Sequence, residues 1–264
     1  MLEVRDITKT FNAGTINEKV ALNHVSLTLK EGDFCTVIGG NGAGKSTMMN
    51  AIAGVWPVDS GQILIDGEDV SGLSEYQRAP YLGRVFQDPM TGTAADMQIE
   101  ENFALAARRG QARTLRWYVT KKEREMFREQ LATLGLGLEE RMTSKVGLLS
   151  GGQRQALTLL MAVLKRPKLL LLDEHTAALD PKTAATVMDA TERIVAENGL
   201  TTLMVTHNMQ NAIDHGNRLV MMSEGRIIYE VEGEEKRRLK VTDLLQKFEE
   251  AGGMAGVSDR MVLS

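Results

Sequence analysis

An apolar run from Leu169 to Leu172 ends in two adjacent carboxylates, Asp173 and Glu174, followed by His175 and then Asp180. Adjacent carboxylates at the end of a buried strand are groups that can hold a cation or move a proton, and the run alone does not say which. The reagent for such a pair is indicated far upstream. There, "GGNGAGKST" fits G-x-x-x-x-G-K-[ST] from Gly39 to Ser46, between the apolar "FCTVI" and the helical "MMNAIAG". That strand–loop–helix setting is the one a phosphate loop requires. Glycines let successive N–H groups across Asn41, Gly42, Ala43 and Gly44 turn inward onto phosphate oxygens, and the new helix presents its positive end to the same charge. Lys45 would bridge the β- and γ-phosphates, Ser46 would ligate Mg2+, and Thr47 would support the α-phosphate end. A plain glycine turn leaves Lys-Ser-Thr at the helix start unexplained. The glycine spacing does not match a dinucleotide fingerprint, which argues against hydride transfer.

A second anion site is written into "LLSGGQRQALTLLMAVL". Ser150 and Gln153 form a capping box before a long apolar helix, a purely structural reading that stands on its own. Ser150, Gly151 and Gly152 also leave the helix N-terminus open to an anion, duplicating what the phosphate loop already offers.

The elements that must position these groups follow from the hydrophobic pattern. Short apolar runs rich in β-branched residues alternate with helical stretches, which predicts an α/β domain with a mostly parallel sheet. "LEVRDITKTF", "VALNHVSLTL" and "GQILIDGEDV" predict an N-terminal antiparallel β subdomain beside the strand "DFCTVIGG". Residues 90–164, with "IEENFALAARR" and "TKKEREMFREQLATLGL", predict an inserted helical subdomain, which leaves 1–89 and 165–235 as the core. Asp180 before Pro181 and Gly199 at the far end bound a helix over 181–198. Residues 236–264 predict a short amphipathic helix and a loose tail.

The 264 residues and 43% hydrophobic content are enough for a proper core, and a formal net charge of -4 argues against a nucleic-acid coat. Cys35 is the only cysteine, so no disulfide framework is expected, and in a strand it reads as a small buried hydrophobe. The start "MLEVRDITKT" does not read as a secretory signal. No apolar stretch reaches the roughly 18 to 20 residues of a membrane span, so work at a membrane would need spans from another chain. His24 and His215 lack partners at zinc spacing, and Trp56 reads as packing. The basic segment Arg108–Arg124, with Trp117 and Tyr118, fits either a solvated face or a surface near anionic lipid or a permease loop.

With "LSGGQ" at Leu149–Gln153, the sequence resembles the nucleotide-binding subunits of ABC (ATP-binding cassette) transporters along nearly its whole length. The resemblance implies the ABC ATPase fold: a P-loop NTPase core carrying the β and helical subdomains as a single ABC ATPase domain. It also implies a head-to-tail pair of this chain, in which the signature of one copy (Ser150, Gly151, Gly152 and Gln153) closes on the γ-phosphate of ATP held by the other. Asp173 would hold Mg2+, Glu174 would be the base, and His207 in "VTHN" would hydrogen-bond the γ-phosphate and fix the water. Gln87 in "RVFQDP" would touch Mg2+ and that water. Phe11 in "KTF" stands where an aromatic ring, commonly tyrosine, stacks on adenine. Asp180 would communicate across the pair. At His175 the family most often has proline, so this histidine reads as a subgroup marker without a chemical role. The remaining partners implied are an integral-membrane permease and an extracytoplasmic substrate-binding protein, with no nucleic acid, at the cytoplasmic face of the membrane. The run "DEHTAALDPKTA" resembles prokaryotic importers, some with aromatic amino acids as a suggested substrate. The alternatives are a soluble ABC ATPase such as an iron–sulfur assembly factor, and a non-hydrolysing ATP-binding scaffold.

Overall fold

The computed structural model describes residues 1–111 and 119–250. The chain begins with β1 (Leu2–Phe11), β2 (Lys19–Leu29) and β3 (Phe34–Gly39), turns through the glycine-rich loop into α1 (Lys45–Ala53), and returns in β4 (Ser60–Ile65) and β5 (Glu68–Asp69). Next come α2 (Glu75–Arg78), β6 (Leu82–Val85), and the helices α3 (Ile99–Ala107), α4 (Lys121–Ala132) and α5 (Gly151–Val163). Strand and helix then alternate through β7 (Leu169–Asp173), α6 (Pro181–Asn198), β8 (Thr201–Val205) and α7 (Met209–Asp214). A hairpin of β9 (Arg218–Ser223) and β10 (Arg226–Glu232), with α8 (Gly233–Arg237) and α9 (Val241–Glu250), completes the described part.

Two sheets result, in the order β2-β1-β4-β5 and β10-β9-β3-β8-β7-β6. The first is antiparallel throughout. In the second, β6, β7, β8, β3 and β9 run parallel, and only β10 pairs antiparallel. This is the α/β fold with a mostly parallel sheet and an N-terminal antiparallel β portion that the sequence predicts.

The parallel sheet is covered on both sides, which explains why β7 is apolar at four successive positions. Alternate side chains of β7 divide accordingly: Leu169 and Leu171 join the core under the antiparallel sheet and α1, while Leu170 and Leu172 join the core built with α3, α4 and α5. Strand β8 splits the same way, Leu203 and Val205 to one side and Met204 to the other. Four leucines in a row thus hold β7 from both faces and fix where Asp173 emerges.

Strand β6 was not among the predicted strands. "LGRV" carries a glycine and an arginine and offers no periodicity, yet it pairs in register with β7 from Leu82↔Leu169 to Val85↔Leu172. Gly83 is required there, since a Cβ would lie 2.7 Å from the Ala162 carbonyl oxygen of α5. The basic segment's Arg113, Arg116, Trp117 and Tyr118, and the tail 251–264, lie outside the described residues.

Candidate active site

The loop between β3 and α1 needs glycine where it bends hardest. Gly44 has a φ of 100° and would bring a Cβ to 2.7 Å from the Ala21 carbonyl oxygen. Helix α1 therefore starts hard against β2, with no acidic residue in its first turn to cancel its positive end. Lys45 is buried; its Nζ donates to the Gly39 carbonyl at 2.6 Å and the Gly40 carbonyl at 3.1 Å, so the ammonium closes across the loop. Burial lowers its pKa, against the opposing pull of Glu174 and Asp173.

Around this loop lies a cavity of about 310 Å³, lined by Phe11, Lys19, Ala21, Glu174 and the loop Asn41–Thr47. The sequence-predicted residues Phe11, Asn41, Gly42, Ala43, Gly44, Lys45, Ser46, Thr47 and Glu174 are therefore brought together. The Phe11 ring is fixed by Trp56, edge-on at 5.0 Å between centroids, and by Lys9, whose Nζ stands 5.7 Å from the ring while paired to Asp59 at 2.9 Å. Trp56 does pack, as expected, and what it packs on is Phe11. Lys19 had no signal in the sequence. It reaches the cavity because the β1–β2 register sets it opposite Phe11.

From the carboxyl end of β7 only Glu174 lines this cavity; Asp173 and His207 stand behind it and do not. Asp173 ends its strand, and Glu174 turns out of it with a φ of 46°, a left-handed conformation costing a non-glycine residue about 1 kcal/mol. The Glu174 N–H still donates to the Val205 carbonyl at 3.0 Å, so β8 holds the turn in place. This break in the strand's alternation carries Glu174 to the cavity. His207, two residues beyond β8, brings Nδ1 to 3.4 Å from Glu174 Oε2. That hydrogen-bonding partner lowers the Glu174 pKa against the opposing effect of burial, so the carboxylate is ionised at neutral pH. Asp173 is pushed the other way: burial raises its pKa, and Arg84 partly offsets this from 3.6 Å. Arg84, on β6, also donates to Asn50 Oδ1 at 2.7 Å and lies 4.5 Å from the Phe86 ring. The sequence reading missed it because only the β6–β7 pairing reveals its neighbour.

Gln87 is exposed just past β6 and does not line the cavity. Its segment is tied to α5 through Gln155, whose Nε2 donates to the Phe86 carbonyl at 3.0 Å. Ser150 accepts from the Gln153 N–H at 3.3 Å and Gln153 Oε1 accepts from the Ser150 N–H at 3.2 Å, which is the capping box. Ser150, Gly152 and Gln153 line a separate cleft with Leu134 and Val187. Within one chain, the signature and the phosphate loop do not share a cavity.

His175 is buried, with Nε2 at 3.1 Å from Thr191 Oγ1. The Thr191 hydroxyl proton is given to the Val187 carbonyl at 2.8 Å, so the imidazole must be the donor in their contact. Burial lowers the His175 pKa to about 4, keeping it neutral. Asp180 caps α6 as expected, accepting from the Thr183 N–H at 3.1 Å.

A family model described as "ABC transporter" matches residues 22–177, from β2 to the turn after Glu174. The chain belongs to the ABC transporter family. A tyrosine transport ATP-binding protein of Clostridioides difficile (strain R20291) is 41% identical over 251 residues, 95% of this chain and 100% of that protein. A methionine import ATP-binding protein of Rhizobium johnstonii is 37% identical over 214 residues, 80% of this chain, which spans only 56% of that longer protein. Among solved structures, a dimeric ATP-binding cassette in a post-hydrolysis state with ADP and Pi aligns with a TM-score of 0.74 at 29% identity, covering 88% of this chain and 98% of that one. The ADP conformation of another ABC transporter cassette aligns at 0.78 with 26% identity, covering 94% of this chain and 98% of that one. ABC cassettes bind and hydrolyse ATP, and this chain is an ATPase of that family. No helix among the described residues is long and apolar enough to cross a membrane.

Proposed function

We propose that this chain is the ATP-hydrolysing subunit of a prokaryotic importer for amino acids, with tyrosine-like aromatic substrates first in line. It works as a homodimer on an integral-membrane permease fed by an extracytoplasmic substrate-binding protein, so it sits peripherally at the cytoplasmic face of the membrane. What carries this reading is the end-to-end alignment with the tyrosine transport protein of C. difficile at 41% identity. A soluble, non-transport ATPase is not favoured, because these relatives carry transport and import names.

Phosphoryl transfer asks for positioning and charge stabilisation more than covalent chemistry. Lys45 and the loop amides bind the β- and γ-phosphates, Thr47 the α-phosphate end, and Phe11 stacks on adenine. The donor set fits Mg2+: an exposed Ser46 hydroxyl and one carboxylate whose desolvation a cation would relieve, Asp173, match an ion that prefers few protein ligands beside phosphate oxygens and water. When bound, Mg2+ neutralises charge on the phosphate oxygens. Glu174 takes the proton from the attacking water. His207, within reach of Glu174, holds that carboxylate in place and donates towards the γ-phosphate. Gln87, exposed two residues past β6, would have to turn inward to reach Mg2+ and the water.

Ser150, Gly151, Gly152 and Gln153 of a second copy close on the γ-phosphate, which explains why they lie outside the cavity of their own chain. The test is to purify the chain with its genomic-neighbour permease and binding protein and to screen amino acids for stimulation of ATPase activity. Stimulation by tyrosine or another aromatic amino acid is expected. Stimulation by none of them, or failure to co-purify with any membrane partner, overturns the assignment.

A further inference from the structure

Lys19 is, beside Lys45, a second cationic residue lining the cavity. It opens β2 directly opposite Phe11 and lines the cavity together with the phosphate loop. Its Nζ lies 3.4 Å from the point where a Cβ on Gly42 would stand, so the amine already reaches over the loop. Among the described residues it forms no ion pair, unlike Lys9 on the neighbouring strand, which is committed to Asp59. Lys45, the other cation of the cavity, is turned onto the carbonyls of Gly39 and Gly40. The two ammonium groups therefore stand against different parts of one loop, one buried and one at the solvent rim.

A strongly hydrated point charge on a flexible stem is well suited to meet phosphate oxygens at such a rim, where bidentate geometry is not required. The Phe11 ring marks the base end of the cavity, whereas the Lys19 ammonium stands beside Gly42 in the phosphate loop. A triphosphate carries more charge past that loop than a diphosphate, and it stays anionic after Mg2+ and Lys45 are counted.

We propose that Lys19 is a nucleotide-binding residue that contacts the polyphosphate from the rim of the loop and favours the triphosphate over the diphosphate. The inference rests on the reading of this cavity as the ATP site. Its test is calorimetric titration of the full chain with ATP and with ADP, for wild type and for Lys19→Ala, Lys19→Arg and Lys45→Ala.

Lys19→Ala is expected to weaken ATP about fivefold and ADP less than about twofold, as befits an exposed charge-assisted contact. The wild-type preference for ATP should fall as salt rises, and Lys19→Ala should flatten that dependence. Lys19→Arg should restore most of the ATP affinity, and steady-state turnover of Lys19→Ala should show a raised KM with kcat held. Unchanged ATP affinity in Lys19→Ala, or an equal loss for ATP and ADP, overturns the proposal. If Lys45→Ala abolishes binding in the same series, the reading of the cavity survives that failure. Wild-type binding by Lys45→Ala would sink the cavity reading itself. Should Lys19→Ala fail to fold, the ATP-to-ADP ratio of Lys19→Gln against Lys19→Arg decides in its place.

Discussion

Gly152, in the first turn of α5, and Thr183, in the first turn of α6, touch so closely that a Cβ on the glycine would lie 2.1 Å from Thr183 Cγ2. The second glycine of the signature is therefore fixed by packing inside its own chain, whatever it later does for a phosphate. That contact ties the start of the signature helix to the helix capped by Asp180.

Gly152→Ala should cost about 1 to 3 kcal/mol of stability, because the new methyl overlaps Thr183 Cγ2 and the packing of the two helix starts must shift to make room. Thr183 Cβ itself would be 3.5 Å from the new methyl, an ordinary contact. Adding Thr183→Ala should thus recover much of the loss. Urea unfolding of the two single variants and the double variant measures this; additive losses would show that the two residues do not collide.

His175 predicts how stability depends on acid. Its folded pKa of about 4 lies below the ordinary histidine value of 6.5, so the unfolded chain binds the extra proton first. Stability on this account is intact above 6.5 and declines as pH falls towards 4, by about 2 kcal/mol at pH 5. His175→Gln, which keeps a donor for Thr191, should flatten the fall between pH 7 and 5 while leaving ATP turnover near wild type. Loss of turnover in a folded His175→Gln protein would give the imidazole a chemical role after all.

Arg84 predicts an activity shift. Burial raises the Asp173 pKa and Arg84 opposes this, so Arg84→Gln should move the acid limb of the kcat/KM profile to higher pH. Arg84→Lys should move it less. An unmoved limb in both variants would mean that Asp173 is not the group titrating there.

Much of the site was legible because it is local. The phosphate loop, the Ser150–Gln153 box and the Asp180 cap each lie within a few residues, and the chain direction alone sets their geometry. The β7 leucines announced a strand buried on both faces, and its end marked Asp173 and Glu174. What escaped the sequence depends on pairing between distant segments. Lys19 belongs to the cavity only through the β1–β2 register, and Arg84 meets Asp173 only because β6 pairs with β7. The strain at Glu174, which turns it out of line with Asp173, has no signature in residue type either.

Glu174 acts as the base of an ATP site that a second copy of the chain completes. The most direct measurement of this is ATP turnover together with size-exclusion chromatography of Glu174→Gln in ATP and in ADP. ATP binding should be retained, turnover lowered by about 100-fold or more, and a stable dimer should form in ATP and revert to monomer in ADP. Wild-type turnover, or an ATP-bound protein that stays monomeric, would contradict this assignment.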